Sequence, residues 1–401
     1  MSERRLPAAY RSLVVVATYA QLVLAQAGCA APQSGSIAGG LEARVASLNT
    51  PPGIEVSLYA AGIDNARQMT LGDRGTIFVG SRGAGKVHAV LDTDGDQQAD
   101  VVYLIDDGLD SPSGLAFREG SLYVAAVDRI LRYDDVEDHL DDPPGPVVVN
   151  QALPGAWHHG WRYLKFGPDG WLYVAIGAPC NACDDVPIRN RLGWGDADPN
   201  LFATISRIPL DGTDLQPYAF GIRNSVGFDW QPGTNHLTFT DNGRDNLGDD
   251  LPPDELNVAT EPGQHFGFPY CHGGDIADPQ YGKNRNCAEF RPPAQKLGPH
   301  VASIGMTFIT GDHFPTEYHG RAVIAEHGSW NRSEPIGYRV TSVALEGDQG
   351  TSYQTLIDGW LLENGSAWGR PSDVLQLPDG SLLVADDRAD AIYRVSYSEP
   401  F

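Results

Sequence analysis

Gly170-Trp171-Leu172-Tyr173-Val174-Ala175, entered from the turn Gly167-Pro168-Asp169, has a pattern that returns along the whole chain. Gly75-Thr76-Ile77-Phe78-Val79-Gly80 and Gly120-Ser121-Leu122-Tyr123-Val124-Ala125 precede it. His236-Leu237-Thr238-Phe239-Thr240-Asp241, Gly320-Arg321-Ala322-Val323-Ile324-Ala325 and Gly380-Ser381-Leu382-Leu383-Val384-Ala385 follow. In each copy a turn leads into a short alternating run of β-branched and aromatic residues, which is a strand pattern. A further strand often comes next, as in Lys86–Val90, Arg129–Tyr133 and Ala391–Val395. Tandem small sheets of this kind cannot bury their faces alone and must stack on their neighbours. The expected fold is therefore all-β, a six-bladed β-propeller with looped insertions, with a β-sandwich as the alternative architecture. The early strand Ile54–Leu58 is placed to complete the last blade and close the ring. No convincing long amphipathic helix interrupts the pattern.

The ends of the repeat region divide the chain. Arg4, Arg5 and Arg11 precede an apolar stretch from Leu13 to Ala25, followed by Gln26-Ala27-Gly28-Cys29. A basic start, a short apolar core and small residues read as a secretory signal over 1–29. The Ala-Gly-Cys ending resembles a bacterial lipobox, with Cys29 as the lipidated residue and Gln26 where Leu is usual. Residues 30–50 are Ser/Gly-rich and read as a flexible tether, leaving 51–401 as a single propeller domain. The expectation is an exported protein, periplasmic or at the cell envelope, held to a membrane only through a lipid anchor.

Composition limits the partners. The 52 acidic residues outnumber the 28 basic ones, for a net charge of -24, which disfavours nucleic acid and anionic lipid surfaces. With Cys29 set aside, four cysteines remain, Cys180, Cys183, Cys271 and Cys287. Three connectivities are possible in an oxidising compartment, and the local pairs Cys180–Cys183 and Cys271–Cys287 are the expectation. The rival readings of Cys180-Asn181-Ala182-Cys183 are a redox-active pair or half of a zinc site.

Chemistry is concentrated in polar clusters beside predicted strands. They are Trp157-His158-His159-Gly160-Trp161-Arg162, Gly221-Ile222-Arg223-Asn224-Ser225, Thr240-Asp241-Asn242-Gly243-Arg244-Asp245, Glu326-His327-Gly328-Ser329-Trp330-Asn331-Arg332 and Trp368-Gly369-Arg370-Pro371. Arg presents a planar fork that matches carboxylates. Asn offers a donor and an acceptor, Gly-rich turns expose carbonyls to a hard cation, and His exchanges protons near neutrality. Any one cluster has a plain structural reading as a turn or a satisfied polar group. Their spread over separate blades argues for a shared site, because propeller loops at one end meet at the axis.

The run from Gly221-Ile222-Arg223-Asn224 through Asp241-Asn242-Gly243-Arg244-Asp245 and Pro253-Asp254-Glu255-Leu256-Asn257 to His265-Phe266-Gly267-Phe268-Pro269-Tyr270-Cys271 resembles the soluble glucose/sorbosone dehydrogenase family. It is most similar to the L-sorbosone and pyranose dehydrogenase branch, which uses pyrroloquinoline quinone. His-Gly-Ser-Trp-Asn-Arg at 327–332, Gly-Arg-Pro at 369–371 and Cys180-Asn181-Ala182-Cys183 extend the likeness, which covers about residues 52–396.

The resemblance implies a role for each matching residue. His159 would be the catalytic base, taking the proton of a sugar or polyol hydroxyl while hydride passes to the quinone. Arg67, Arg223, Asn224 and Arg370 would hold the cofactor, with Asn242 supporting the site. Gly243 and Arg244 would offer backbone carbonyls to calcium, acting as a Lewis acid. His327 would also face the cofactor, where glucose-oxidising members have a Lys; they have Pro where this chain has Arg244 and a second Arg where it has Ser372, so the resemblance points away from glucose. Ser113 also stands where the branch has Asn. The partners implied are a small sugar, sugar aldehyde or polyol and an external electron acceptor. A calcium-dependent sugar lactonase and a non-catalytic glycan-binding propeller are the competing functions.

Overall fold

In the computed structural model, which describes residues 34–183 and 198–399, the six repeats form the second strands of six four-stranded antiparallel sheets. Blade 1 runs Ala66–Leu71, Ile77–Ser81, Val87–Leu91 and Val101–Asp106, and blade 2 runs Gly114–Arg118, Ser121–Ala125, Ile130–Tyr133 and Val147–Asn150. Blade 3 comprises Leu164–Phe166, Leu172–Ile176, Thr204–Ile208 and Gln216–Phe220, and blade 4 comprises Phe228–Trp230, Leu237–Asp241, Pro253–Ala259 and Gln295–Pro299. Blade 5 is built from Ser303–Phe308, Ala322–Glu326, Arg339–Glu346 and Gln349–Ile357. Blade 6 takes Pro371–Gln376, Leu382–Asp386 and Ala391–Tyr397 from the end of the chain and Ile54–Ala61 from its start. The six-bladed propeller expected from the repeats is the fold.

Closure depends on that last exchange. Ile54 pairs with Tyr397, Val56 with Val395 and Leu58 with Tyr393 in antiparallel register. The pairing fastens the two ends of the domain together and leaves the ring without a gap. Second strands such as Ile77–Ser81 and Leu172–Ile176 are buried along their whole length, because neighbouring blades cover both faces. Apolar clusters fill the spaces between blades, with Tyr163, Tyr173, Phe228 and Phe239 between blades 3 and 4, and Phe78, Leu115, Leu122 and Tyr133 between blades 1 and 2. The tight turns before the second strands place Gly75, Gly120, Gly170 and Gly380 at φ of 89°, 78°, 83° and 87°, a left-handed conformation that suits glycine.

Buried polar side chains stitch the blades near the axis. Gln68 Oε1 of blade 1 accepts from Leu115 N of blade 2 and Leu164 N of blade 3, each at 2.9 Å. Asp373 of blade 6 accepts from Met69 N of blade 1 at 2.8 Å. Every such bond satisfies a donor that would otherwise be buried without a partner.

Where a flexible tether is expected over 30–50, the structure has a helix, Ser34–Val45, whose Leu41 and Val45 are buried beside Trp360 and Trp368. Its apolar contacts outweigh the weak helix propensity of Gly39-Gly40. The expected signal over 1–29, with Cys29, lies outside the described residues. No helix among the described residues is long and apolar enough to cross a membrane. Both expected disulfides, Cys180–Cys183 and Cys271–Cys287, are present. The second staples an insertion in blade 4 that carries a small hairpin, Cys271–His272 with Ile276–Ala277.

Candidate functional site

The first strand of each blade starts, and the second ends, at the same end of the propeller, so their flanking loops converge there. They enclose a cavity of about 360 Å³, within the usual range for a small-molecule site. Its walls include His159, Arg67, Arg223, Asn224, Asn242, Gly243, His327 and Arg370. Eight residues singled out from the sequence thus meet in one place, from six separate blade segments. Arg244 does not line it, and its guanidinium instead pairs with the buried Asp278.

His159 sits on the link between blades 2 and 3 with φ of 52°. Its Nδ1 lies 2.8 Å from the carbonyl oxygen of Ala178. A carbonyl only accepts, so Nδ1 carries the hydrogen and Nε2 is left with a lone pair. Burial, aided by Arg223 and His158, holds the imidazole well below its usual range. At neutral pH it is therefore an uncharged base. Gly177 presses on this arrangement: a Cβ there would lie 2.6 Å from His159 Cβ and 3.1 Å from Asn224 Oδ1.

Arg223 is held on several sides. Its Nε donates to Asn181 O at 2.9 Å, its Nη2 to Asn181 Oδ1 at 2.8 Å and its Nη1 to Asn242 O at 3.1 Å. An ion pair with Asp245 at 2.5 Å completes the set. Asn181 belongs to the turn closed by Cys180–Cys183, so the disulfide fastens the acceptor that aims Arg223. On the opposite wall, Arg67 Nη2 lies 2.9 Å from Asp387 Oδ2 and His327 Nε2 lies 2.8 Å from Asp387 Oδ1. Burial alone would raise the Asp387 carboxyl, but Arg67 and then His327 hold it below the usual carboxylate range. Burial pushes His327 down to about 4, so it stands as a neutral donor to Asp387. Arg370 donates to the carbonyls of His327 and Gly328 at 3.1 and 3.3 Å.

Asn224 N and Arg223 N donate to the carboxylate of Asp241 at 2.6 and 2.9 Å, which fixes the Arg-Asn turn. Asn242 Nδ2 donates to Ser303 O at 2.7 Å. Asp254, buried beneath, accepts from Gly243 N and Ser303 N at 2.9 and 3.0 Å, and burial raises it to about 6.

The residues present fit an anionic, planar cofactor with a divalent cation. Asn224 Oδ1 and Arg67 Nε are buried without a partner among the described residues, and such orphans call for a ligand. Gly243 and Asn242 bring backbone and amide oxygens to the same wall, the donor type calcium takes. Sequence reading did not single out Arg82 or His300, which have no motif around them, although both line the cavity. Trp157, Trp161, Trp330 and Asn331 also line it and lie within clusters that were recognised.

Fold and site together define a closed six-bladed propeller with an arginine-rich ligand cavity at one end of its axis. The chain belongs to the family described as a domain of unknown function (DUF7133), which matches residues 41–394. An uncharacterised protein of Borreliella burgdorferi is 35% identical over 378 residues, covering 91% of this chain and 94% of that protein. A pyrroloquinoline quinone-dependent pyranose dehydrogenase of Coprinopsis cinerea is 23% identical over 376 residues, spanning 82% of this chain but 48% of its own length. A Trichoderma reesei structure of carbohydrate-active enzyme family AA12 has the same fold, with a TM-score of 0.73 at 20% identity, covering 88% of this chain and 98% of that one.

Proposed function

We propose that this protein is a sugar oxidoreductase that uses pyrroloquinoline quinone and calcium, oxidising an aldose, a sorbosone-like sugar aldehyde or a related polyol. The observation that carries the reading is His159: a buried, neutral imidazole with its Nδ1 committed to Ala178 O, on the wall of a cavity that also presents Arg67, Arg223 and Arg370. The likeness to the Coprinopsis pyranose dehydrogenase supports it.

When bound, the quinone supplies a two-electron, hydride-accepting centre and the calcium a Lewis acid beside it. Arg67, Arg223 and Arg370 would hold its carboxylates, with Asn224 and Asn242 as amide partners. The carbonyl of Gly243, which lines the cavity, would take the cation. His159 accepts the hydroxyl proton at Nε2 as the carbon bearing that hydroxyl loses hydride; a polyol thus leaves as a carbonyl, a cyclic hemiacetal as the lactone, and an aldehyde, reacting as its hydrate, as the acid. Asp387 keeps Arg67 and His327 in place, and Asp245 does the same for Arg223. Two electrons per turnover must then leave to an external acceptor.

The basic-apolar leader, Cys29 and the two disulfides support an exported protein, lipid-anchored at the envelope. The test of the function is reconstitution of the purified protein with quinone and calcium, followed by dye reduction over a panel of aldoses, sugar aldehydes and polyols. Reduction that requires both cofactors and is abolished by chelation is the expected result. Failure to bind the quinone, or lactone hydrolysis with calcium alone, would reverse the reading.

A further inference from the structure

Four guanidinium groups line the cavity, and they differ in what balances them. Arg223 has Asp245 and Arg67 has Asp387. Arg370 reaches the backbone carbonyls of His327 and Gly328. Arg82 follows the second strand of blade 1, where its backbone N donates to Asn65 Oδ1 at 3.2 Å. Among the described residues, its guanidinium has neither a hydrogen-bond acceptor nor a carboxylate in ion-pair range. What holds it is aromatic: its Cζ lies 3.8 Å from the centroid of Trp161 and 6.0 Å from that of Trp157.

Such stacking leaves the edge of the fork free, because the ring takes the face of the guanidinium and the N–H groups lie in its plane. The charge is also uncomfortable where it is. Burial, followed by the like charge of Arg67, draws Arg82 down to about 10, and Arg370 adds to the repulsion. Asp387, already bonded to Arg67 and His327, is the carboxylate nearest to balancing these guanidiniums. An anion entering the cavity would relieve that excess. The exposed ring of Trp157, 66% accessible, stands beside the fork and offers a face to an organic ring. A carboxylate carried on a ring matches both features.

We propose that Arg82 is an anion anchor of this cavity, its free fork receiving a ring-borne carboxylate of the occupant. The carboxylate belongs either to the quinone cofactor or to an acidic sugar such as a hexuronate. The choice of carrier rests on the function proposed above, whereas the carboxylate chemistry rests on Arg82 and its surroundings.

The test uses the full-length protein freed of cofactor, with Arg82→Met and Arg82→Lys variants. Three probes are titrated: pyrroloquinoline quinone with calcium, glucuronate, and glucose as the uncharged control, the two sugars also in quinone-loaded protein. Binding is read by tryptophan fluorescence and by the shift in Tm. The wild type is expected to bind at least one carboxylate probe, Arg82→Met to weaken it by about tenfold or more, and Arg82→Lys to lie between, while glucose is unchanged. Loss confined to the quinone assigns the cofactor as carrier, and loss confined to glucuronate assigns the substrate. Both results support the anchor. Variants that bind both carboxylates as tightly as the wild type would overturn it, as would a wild type that binds neither. Should Arg82→Met fail to fold, Arg82→Lys alone decides, and unaltered affinity sinks the proposal. A wild type that ignores the quinone yet binds glucuronate through Arg82 would refute the proposed function and leave the anchor standing.

Discussion

His159 Nδ1 and the carbonyl oxygen of Ala178 are 2.8 Å apart, and this contact decides which nitrogen of the ring can act as a base. Ala178 follows the second strand of blade 3, and its own N donates to Arg223 O at 2.7 Å. His159 and Arg223 are therefore tied to the same backbone segment. His159→Gln, which keeps an amide near the ring position but no basic nitrogen, is expected to lower kcat by 100-fold or more, on the order of the usual contribution of a general base. Quinone affinity, measured by titration, should change little.

The same histidine sets the pH profile. Its folded-state value is depressed well below that of a free imidazole, about 6.5. The neutral form is the active one, so lowering the pH through about 6.5 should leave kcat/KM unaffected by this group. The acid limb is expected only further down, where the buried ring finally takes a proton. A limb centred at or above the free-imidazole value in kcat/KM would contradict the assignment.

Gly177 has no room for a methyl group. A Cβ at 2.6 Å from His159 Cβ and 2.9 Å from His159 O must displace the histidine or the link that carries it. Gly177→Ala is expected to cut kcat/KM by about 10- to 100-fold through misplacement of His159 and Asn224. Overpacking should also lower stability by about 1–3 kcal/mol, measured by urea unfolding.

Asn181 is a positioning residue for Arg223, supplying both its backbone and its side-chain oxygen. Asn181→Ala removes the Oδ1 acceptor used by Arg223 Nη2 and Asp245 N. The expected outcome is quinone affinity weakened by about tenfold, roughly 1.4 kcal/mol, with kcat at saturating cofactor nearly unchanged. Asn181→Asp restores the acceptor and should recover most of the affinity. A Cys180→Ser/Cys183→Ser double variant should resemble Asn181→Ala, because the turn that presents Asn181 is then unfastened.

Asp387 serves two partners with side chains 8% exposed or less, Arg67 and His327. Asp387→Asn leaves the Arg67 guanidinium buried without its counter-charge. Loss of such a partner costs about 3 kcal/mol, and urea unfolding of the apo protein is the measurement. Quinone binding should partly restore stability in this variant, because its carboxylates replace the missing charge.

Much of the site could be read along the chain because its residues sit in short polar runs at strand ends. His159 lies in Trp-His-His-Gly-Trp, Arg223 in Gly-Ile-Arg-Asn and Arg370 in Gly-Arg-Pro, each beside a strand that repeats. Arg82, in Ser81-Arg82-Gly83-Ala84-Gly85, looks like any solvated turn, and only its stacking on Trp161 separates it from one. Asp387 was equally silent, since its partners lie on other blades, and Asn181 showed only as part of the Cys180–Cys183 turn, without its role toward Arg223. The helix Ser34–Val45 was missed because Gly39-Gly40 weakens the local signal while its stabilising contacts are tertiary.

The number of blades, the recurring strand in each, and the return of Ile54–Leu58 to the last blade were determined by the sequence alone. Period-two alternation and glycine turns are local properties, and six tandem copies leave a ring as the way to bury their faces. What tertiary structure alone decided is the charge state of the cavity: which arginines are neutralised, which nitrogen of His159 is free, and that Arg82 stands unpaired among the described residues. Those properties depend on distances between groups on different blades, and burial changes their electrostatics in ways no stretch of chain records.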